Sequence, residues 1–228
     1  MKKWYIITGA LCLLMLVTTA VFLVLLPDRV PMHYNFAGEM DRMGSKYENL
    51  LWPGVSLVMA GIFVLAAKEK KTTEKEQKIL LLAAIYTLLL FYVLGVYFMY
   101  KALRYGSAAE IAGNQFDQIL RFTMLGTGVL LVLLSNLMPK TTRNALFGIR
   151  TTWSQYSDTT WRKSQRFGAF SGVLCGGLII LSAVFFSGSV CLVIDTVLVL
   201  VWAVAAGAAS WKYYREETAK DGQEPHDR

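Results

Sequence analysis

Six long stretches of this chain are almost free of charged residues, and this feature limits the possible fold more than any other. Each stretch is about 17–23 residues long, and together they are Trp4–Leu26, Leu50–Ala67, Ile79–Tyr100, Phe122–Met138, Phe167–Phe186 and Val190–Trp211. Because an α-helix rises about 1.5 Å per residue, each stretch can cross a hydrocarbon core of about 30 Å. Little of the 228-residue chain remains for a separate soluble domain.

The composition agrees with a membrane protein. Hydrophobic residues make up 55% of the chain and charged residues 17%, whereas soluble domains carry about 25% charge. These values exclude a disordered chain, a disulfide-rich miniprotein and an ordinary soluble enzyme. We therefore predict an all-α integral membrane protein, a bundle of six transmembrane helices. We interpret the first stretch as a retained helix, because its apolar run exceeds the 7–15 residues of a signal peptide.

The distribution of basic residues predicts the topology. With the N-terminus inside, the inner segments hold 17 Lys and Arg residues and the outer segments hold five. Basic residues accumulate on the cytoplasmic side of membrane proteins, so we expect both termini in the cytoplasm. The excess of positive charge behind the net charge of +7 then lies on the cytoplasmic side, where it suits anionic lipids or an acidic partner. The chain shows no nucleic-acid-binding signature, and we expect no direct contact with nucleic acid.

This topology divides the chain into three parts. Residues 1–67 form a helix pair with an extracellular loop at 27–49. Residues 68–211 form a helical region with a cytoplasmic loop at 139–166. Residues 212–228 are expected to be a polar, mobile cytoplasmic tail.

The outer loop has the pattern of a short β-strand. Pro27 and Pro31 end the first helix and keep the chain extended, since proline lacks an amide proton and restrains the residue before it. Apolar residues then alternate as they do along a strand, at Val30, Met32, Tyr34 and Phe36. We expect a short extended ribbon on the outer surface of the membrane.

The same loop contains potential metal ligands in His33, Glu39 and Asp41. Their spacing fits no established metal motif, and His226 is predicted to lie across the membrane, so we expect no metal. Two other interpretations remain open. Asp41 and Ser45 close turns while His33 forms a local hydrogen bond, or the loop contacts an extracellular ligand.

The inner loop carries turn and capping signals. Pro139 ends the fourth stretch, and Asn144 and Gly148 suit turns. Ser157 or Asp158 is expected to cap a helix that continues into the fifth stretch.

Thirteen residues of this inner segment follow the order Asn-x-Met-Pro-Lys, Asn, Gly-Ile-Arg-Thr-x-Trp and Trp-x-Lys-x-x-Arg. They are Asn136, Met138, Pro139, Lys140, Asn144, Gly148, Ile149, Arg150, Thr151, Trp153, Trp161, Lys163 and Arg166. The pattern resembles the SdpI family of bacterial membrane immunity proteins. We predict that Trp153 and Trp161 anchor this segment at headgroup depth.

The outer loop resembles the small domain that often precedes this family's membrane region. The matching residues are Pro27, Pro31, His33, Gly38, Asp41, Gly44, Ser45 and Lys46. We therefore expect an extracellular ligand loop made of Pro31, His33, Asn35, Gly38, Asp41, Gly44, Ser45 and Lys46.

The resemblance also implies a function. Members of the family are linked to protection against a secreted antimicrobial peptide, and the best-known member is also linked to holding a transcriptional repressor at the membrane. We expect such a peptide, and a cytoplasmic repressor, as partners. The alternative is a small transporter or a membrane-bound enzyme, although the chain contains no HExxH, Walker or GxSxG motif and implies no cofactor.

Two features within the predicted spans suggest helix contacts. Arg121 and Asp195 are expected at similar depth, where they pair, share a polar pocket or extend separately to the interface. Gly168, Gly172 and Gly176 lie on one face of the fifth helix. Such a face favours close packing inside the bundle or, alternatively, an oligomer contact.

Overall fold

The computed structural model describes residues 1–35, 40–69, 72–105, 113–144 and 146–221. Within these ranges, six helices are long and apolar enough to cross a membrane. They are α1 (Lys2–Leu25), α2 (Leu51–Ala67), α3 (Glu74–Tyr105), α4 (Gly113–Leu137), α5 (Asp158–Phe185) and α6 (Gly188–Asp221). The predicted six-helix membrane protein is confirmed, and α3 to α6 extend beyond the apolar stretches that predicted them.

The loop after α1 is a β-hairpin. Strands β1 (Arg29–Tyr34) and β2 (Met40–Ser45) pair antiparallel, with Val30 opposite Gly44. This confirms the extended ribbon for residues 29–34. Within it, the side chain of Val30 is fully buried. A 3₁₀ turn at 46–50 leads from β2 into α2. Ser45 starts this turn with a capping box, in which its amide donates to Glu48 Oε1 at 3.0 Å.

The helices pack in two groups of three. α3 packs against α1 and α2, α5 packs against α4 and α6, and a contact between α3 and α4 joins the groups. Large apolar side chains remain exposed on the outside of both groups, including Val24, Phe170 and Val204, which are 72–83% exposed. A bundle with such a surface is suited to lipid rather than water.

The glycine face of α5 is covered by α4 and by the segment that follows it. A Cβ atom at Gly176 would lie 2.7 Å from the carbonyl oxygen of Gly128, and one at Gly172 would collide with Ser135 Oγ. A Cβ at Gly168 would lie 2.8 Å from Met138 Cε. These glycines therefore pack inside the bundle, which confirms the first alternative, and atoms of the same chain occupy the face that an oligomer contact would need.

The last helix continues past its apolar stretch. α6 runs to Asp221, and its final turns contact the start of α5. Lys163 Nζ lies 3.5 Å from Glu216 Oε2, and Ser157 Oγ donates to Glu217 Oε1 at 2.5 Å. The expected mobile tail is wrong for residues 212–221, while residues 222–228, with His226, lie outside the described ranges.

Candidate functional site

The two sequence patterns lie at opposite ends of the bundle. We call the end that carries β1 and β2 the hairpin end, and the end that carries residues 146–157 the loop end. The turn between α5 and α6 lies at the hairpin end, and the connection between α2 and α3 lies at the loop end. The prediction that the loop end faces the cytoplasm remains a prediction.

At the loop end, Asn144 and Gly148 form the expected turns. Asn144 Oδ1 accepts hydrogen bonds from the amides of Leu146 and Phe147 at 2.9 and 2.7 Å. Gly148 has a φ of +104°, which side chains rarely tolerate. A Cβ atom there would also collide with the Gln165 carboxamide. The fold of the loop therefore requires a turn-forming residue at position 144 and a glycine at position 148.

Gln165 fastens this turn to α5. Its carboxamide accepts from the Ile149 amide at 2.9 Å and donates to the Ile149 carbonyl at 2.8 Å, and its side chain is fully buried. The sequence analysis missed this residue. Gln165 lies four residues after Trp161 and three before Gly168, so helical periodicity places it on the buried face of α5 and could have identified it.

Ser154 and Thr151 complete the loop. Ser154 Oγ donates to the Ile149 carbonyl at 2.8 Å, and the Ser154 amide donates to Thr151 Oγ1 at 3.0 Å. Thr151 Oγ1 lies 2.8 Å from Ser210 Oγ on α6. Because buried polar groups are costly unless they are hydrogen-bonded, the Ser154 contacts fix the loop backbone, and the Thr151–Ser210 contact holds the loop against α6.

Trp161 has a different role from the one predicted. Only 1% of it is exposed, and its indole Nε1 donates to the Thr141 carbonyl at 3.0 Å. The predicted membrane anchor at Trp161 is wrong, because the ring serves as a core residue that ties the loop to α5. Trp153 is 37% exposed, and its placement at headgroup depth remains a prediction.

The start of α5 has the cap that the sequence predicts. Ser157 Oγ accepts from the Thr160 amide, and Thr160 Oγ1 accepts from the Ser157 amide, both at 3.0 Å. Asp158 in the first turn accepts from Arg143 Nε at 2.8 Å. This capping fixes where the loop ends and where α5 begins.

The remaining polar residues of the pattern project outward. Lys140, Arg150 and Arg166 are exposed, and no hydrogen bond or ion pair is recorded for their side chains within the described residues. Lys163 pairs with Glu216, and Asn136 Nδ2 donates within α4 to the Val132 carbonyl. The loop end is therefore a rigid, hydrogen-bonded scaffold that presents free cations.

At the hairpin end, His33 and Asp41 join the two strands. His33 Nδ1 lies 2.6 Å from Asp41 Oδ1, which confirms the local hydrogen bond predicted for His33. Two other predicted loop residues have contacts next to the hairpin. Lys46 Nζ lies 3.0 Å from Asp28 Oδ1. Gly44 packs so closely against Glu48 that a Cβ atom would collide with the Glu48 side chain.

The predicted ligand loop is only partly described. Pro31 lies in β1 opposite Met43, and Asn35 follows that strand. Gly38 and the potential metal ligand Glu39 lie outside the described ranges. The described residues contain no cluster of three metal-ligating side chains.

The hairpin contacts the adjacent end of α4. The rings of Tyr34 and Phe116 lie 5.6 Å apart, and burial raises the pKa of the Tyr34 phenol. Asp117, the next residue of α4, accepts a hydrogen bond from the Gly188 amide at the start of α6. α4 therefore links the hairpin to the turn between α5 and α6.

Arg121 and Asp195 lie close to this turn, but the predicted ion pair is not formed between these two described residues. Arg121 Nε and Nη2 donate to the carbonyls of Ala183 and Val184 at 2.8 and 2.9 Å. Asp195 is 4% exposed, and its Oδ1 accepts from Ser182 Oγ at 2.7 Å. Depth alone suggested the pair, whereas each side chain instead meets a different group of the last turn of α5.

The comparisons with known proteins match the two patterns separately. Residues 140–211 match the SdpI/YfhL protein family, and residues 10–57 match a domain of unknown function, DUF1648. The chain is 36% identical over 92 residues to "Immunity protein SdpI" of Bacillus subtilis (strain 168). That alignment covers 40% of this chain and 44% of the relative, so it spans less than half of either protein.

No solved structure matches the chain. The six apolar helices, together with the two family matches, make it a multi-pass protein of the bacterial cytoplasmic membrane. The pattern at the loop end agrees with the family match over residues 140–211, and this part of the chain is similar to the SdpI/YfhL family.

Proposed function

We propose that this chain protects a bacterial membrane against a secreted, membrane-active antimicrobial peptide. The observation that carries the proposal is the 36% identity to a protein named as an immunity protein. Because that alignment covers 40% of this chain, the activity of the relative is applied here as a proposal only. The proposal assigns no catalytic step to the chain.

The hairpin end is the first contact for the peptide in this proposal. The hairpin presents the exposed His33–Asp41 and Arg42–Glu48 pairs, whose atoms lie 2.6 and 2.9 Å apart. Exposed pairs of this kind contribute little to stability, about 0–1 kcal/mol each, so they are free to exchange partners with a ligand. The helix ends that adjoin the hairpin expose Val24, Leu25 and Leu51, which offer apolar surface to a membrane-active peptide.

A signal to a cytoplasmic repressor is a second part of the proposal. α5 connects the two ends, since its last turn accepts hydrogen bonds from Arg121 and its first turns hold the loop through Trp161 and Gln165. Spatial continuity alone does not establish coupling. The peptide must bind two arrangements of the bundle with unequal affinity, and the exposed cations of the loop end must differ between them.

Survival of a peptide-sensitive host that expresses this chain tests the proposal. We expect protection by the natural chain, and loss of protection with His33→Ala or Asp41→Ala at equal membrane abundance. Arg29→Gln is the matched control, because Arg29 lies exposed on the same hairpin and no contact is recorded for its side chain. A host that stays as sensitive with the chain as without it would refute the proposed function.

Two further measurements separate the alternatives. Arg150→Ala and Trp153→Ala should leave survival intact if the chain only captures the peptide, whereas a repressor-controlled reporter should respond to these changes if it also signals. A substrate flux across proteoliposomes in the absence of any protection would instead favour the transporter.

A further inference from the structure

A polar cleft of about 360 Å³ opens at the loop end, between the two groups of helices. One wall comes from the connection between α2 and α3 and from the start of α3, and the other comes from the loop. The residues that line the cleft are Glu69, Thr72, Glu76, Arg143, Asn144, Arg150 and Gln155. The volume lies in the range of about 300–1,000 Å³ that small-molecule sites occupy.

Opposite charges face this cleft without neutralising one another. The Arg150 guanidinium and the Glu69 carboxylate form no recorded hydrogen bond or ion pair within the described residues. Glu76 is only 8% exposed, and its Oε2 accepts from the amide and the hydroxyl of Thr73 at 3.1 and 3.0 Å, which leaves Oε1 to face the cleft. Because an accessible guanidinium and accessible carboxylate oxygens line the same cleft, it is suited to a ligand that carries both charges.

Arg143 and Gln155 form a fixed part of the wall. Arg143 is held by Asp158 at 2.8 Å and by the Gln155 carbonyl at 3.2 Å. Gln155 in turn donates to the Asn144 carbonyl at 3.2 Å. Among the described residues that line the cleft, Arg150 is therefore the cation without a hydrogen bond or ion pair, and the Gln165 and Ser154 contacts hold the backbone of its loop in position.

The helix ends on the α1–α3 side of the cleft carry residues of the kind that lie at lipid headgroups. Lys3 Nζ and Lys78 Nζ lie 5.2 and 5.7 Å from the centre of the Trp4 ring. Lys68 Nζ lies 5.8 Å from the centre of the Tyr5 ring. Tryptophan, tyrosine and lysine concentrate at the interface between membrane and water, and Lys68 and Lys78 flank the glutamates of the cleft in sequence.

We propose that the cleft binds the headgroup of a phospholipid with a primary ammonium, a phosphoethanolamine, with the phosphate at Arg150 and the ammonium between Glu69 and Glu76. A guanidinium matches phosphate oxygens with two parallel hydrogen bonds. Carboxylates accept the N–H bonds of a primary ammonium. A quaternary ammonium offers no N–H and is held by aromatic rings, and none of the lining residues is aromatic.

This proposal is independent of the proposed immunity. A lipid with an anionic headgroup and no ammonium would leave both glutamates without a counter-charge, so the cleft should discriminate against phosphoglycerol headgroups. A soluble phosphoethanolamine has the same polar chemistry, and the acyl chains of a bound lipid would distinguish the two sources by adding contact with the apolar helices beside the cleft.

The test is titration of the purified full-length chain in a neutral detergent, with short-chain lipids that carry phosphoethanolamine, phosphoglycerol or phosphocholine headgroups, and with glycerophosphoethanolamine. We expect the first lipid to bind at least about tenfold more tightly than the others. Arg150→Gln should weaken this binding by about tenfold or more, and Glu69→Gln should remove the preference over phosphoglycerol. Neither side chain is exposed to loss of a hydrogen bond or ion pair with the described part of the chain, so both variants should fold.

Arg166→Gln is the matched control, because this arginine is equally exposed and unpaired near the loop but does not line the cleft. Unchanged binding in this variant supports the assignment. Equal affinity for all three headgroups, or natural affinity in Arg150→Gln, would overturn it. If glycerophosphoethanolamine bound as tightly as the lipid, the membrane source would be wrong.

Discussion

Replacement of Gln165 by leucine should loosen the loop end without disturbing the rest of the bundle. Gln165 is 1% exposed, and its two hydrogen bonds, of 2.9 and 2.8 Å, join α5 to both backbone polar groups of Ile149. Leucine has a similar size and keeps the apolar contacts of this position. The substitution therefore isolates the loss of the hydrogen bonds from the loss of volume.

The expected magnitude follows from what each group of Ile149 retains. Its carbonyl still accepts from Ser154 Oγ at 2.8 Å, whereas no other partner is recorded for its amide. One unsatisfied buried donor costs about 1–3 kcal/mol. Taking about 2 kcal/mol, and about 1.4 kcal/mol for each factor of ten, the equilibrium for local opening of the loop should rise about 30-fold.

Amide hydrogen exchange, followed by mass spectrometry on the protein in detergent, measures this opening directly. Peptides that cover residues 146–154 should exchange about 30-fold faster in Gln165→Leu, while those of α1 to α3 should not change. Gln118→Leu is the control, since Gln118 is exposed on α4 and makes one recorded contact, to Lys101 at 3.0 Å. Unchanged exchange in the loop would mean that these hydrogen bonds do not hold it.

Three further outcomes are expected. Gly176→Ala should lower the free energy of unfolding by about 1–3 kcal/mol, because the new methyl group would lie 2.7 Å from a carbonyl oxygen of α4. Gly177→Ala is the control and should raise Tm, because no atom lies within 4 Å of the new methyl group. Equal thermal melts of the two variants would contradict this contrast. Ser182→Ala removes the hydrogen bond from Ser182 Oγ to the buried Asp195 carboxylate and should cost about 1–3 kcal/mol in the same assay. An unchanged melt would show that this bond does not stabilise the fold. Burial raises the pKa of Tyr34 from its ordinary value of 10.0, so contact between the hairpin and α4 should be complete below pH 10 and weaken as the pH rises further. An absorbance titration should show a tyrosine that titrates late in the natural chain and is missing in Tyr34→Phe. Identical titration curves would refute this.

The sequence predicts where the chain is apolar, but it does not predict where each helix ends. Hydropathy placed the end of the last span at Trp211, yet α6 continues to Asp221 because lysine, arginine and glutamate are good helix formers. Lys212 and Glu216 also lie four residues apart, with charged atoms 3.9 Å from one another. Thr73 and Glu76 likewise start α3 before its apolar stretch, through a reciprocal cap.

The same distinction applies to the candidate site. Asn144 and Gly148 could be predicted because turn chemistry depends on the residue itself and its immediate neighbours. The contacts of Gln165 could not, because they require knowledge of which backbone groups the fold brings to α5. Arg121 and Asp195 were placed correctly in depth, but a linear sequence does not fix which way each side chain points around its helix.

The two ends of the protein can be coupled only through contacts that move together. α4 and α5 touch backbone to backbone at the glycine face, where Gly128 and Gly176 leave no room for sliding. A peptide that displaces the hairpin end of α4 would therefore carry α5 and its loop along, relative to the group of α1 to α3. The cleft between Glu69 and Arg150 spans these two groups, so its width would change.

Linkage then requires that a lipid bound in the cleft alter peptide affinity by the same factor as the peptide alters lipid affinity. Peptide binding that is identical in protein with and without phosphoethanolamine lipid would show that the two groups do not move in this way.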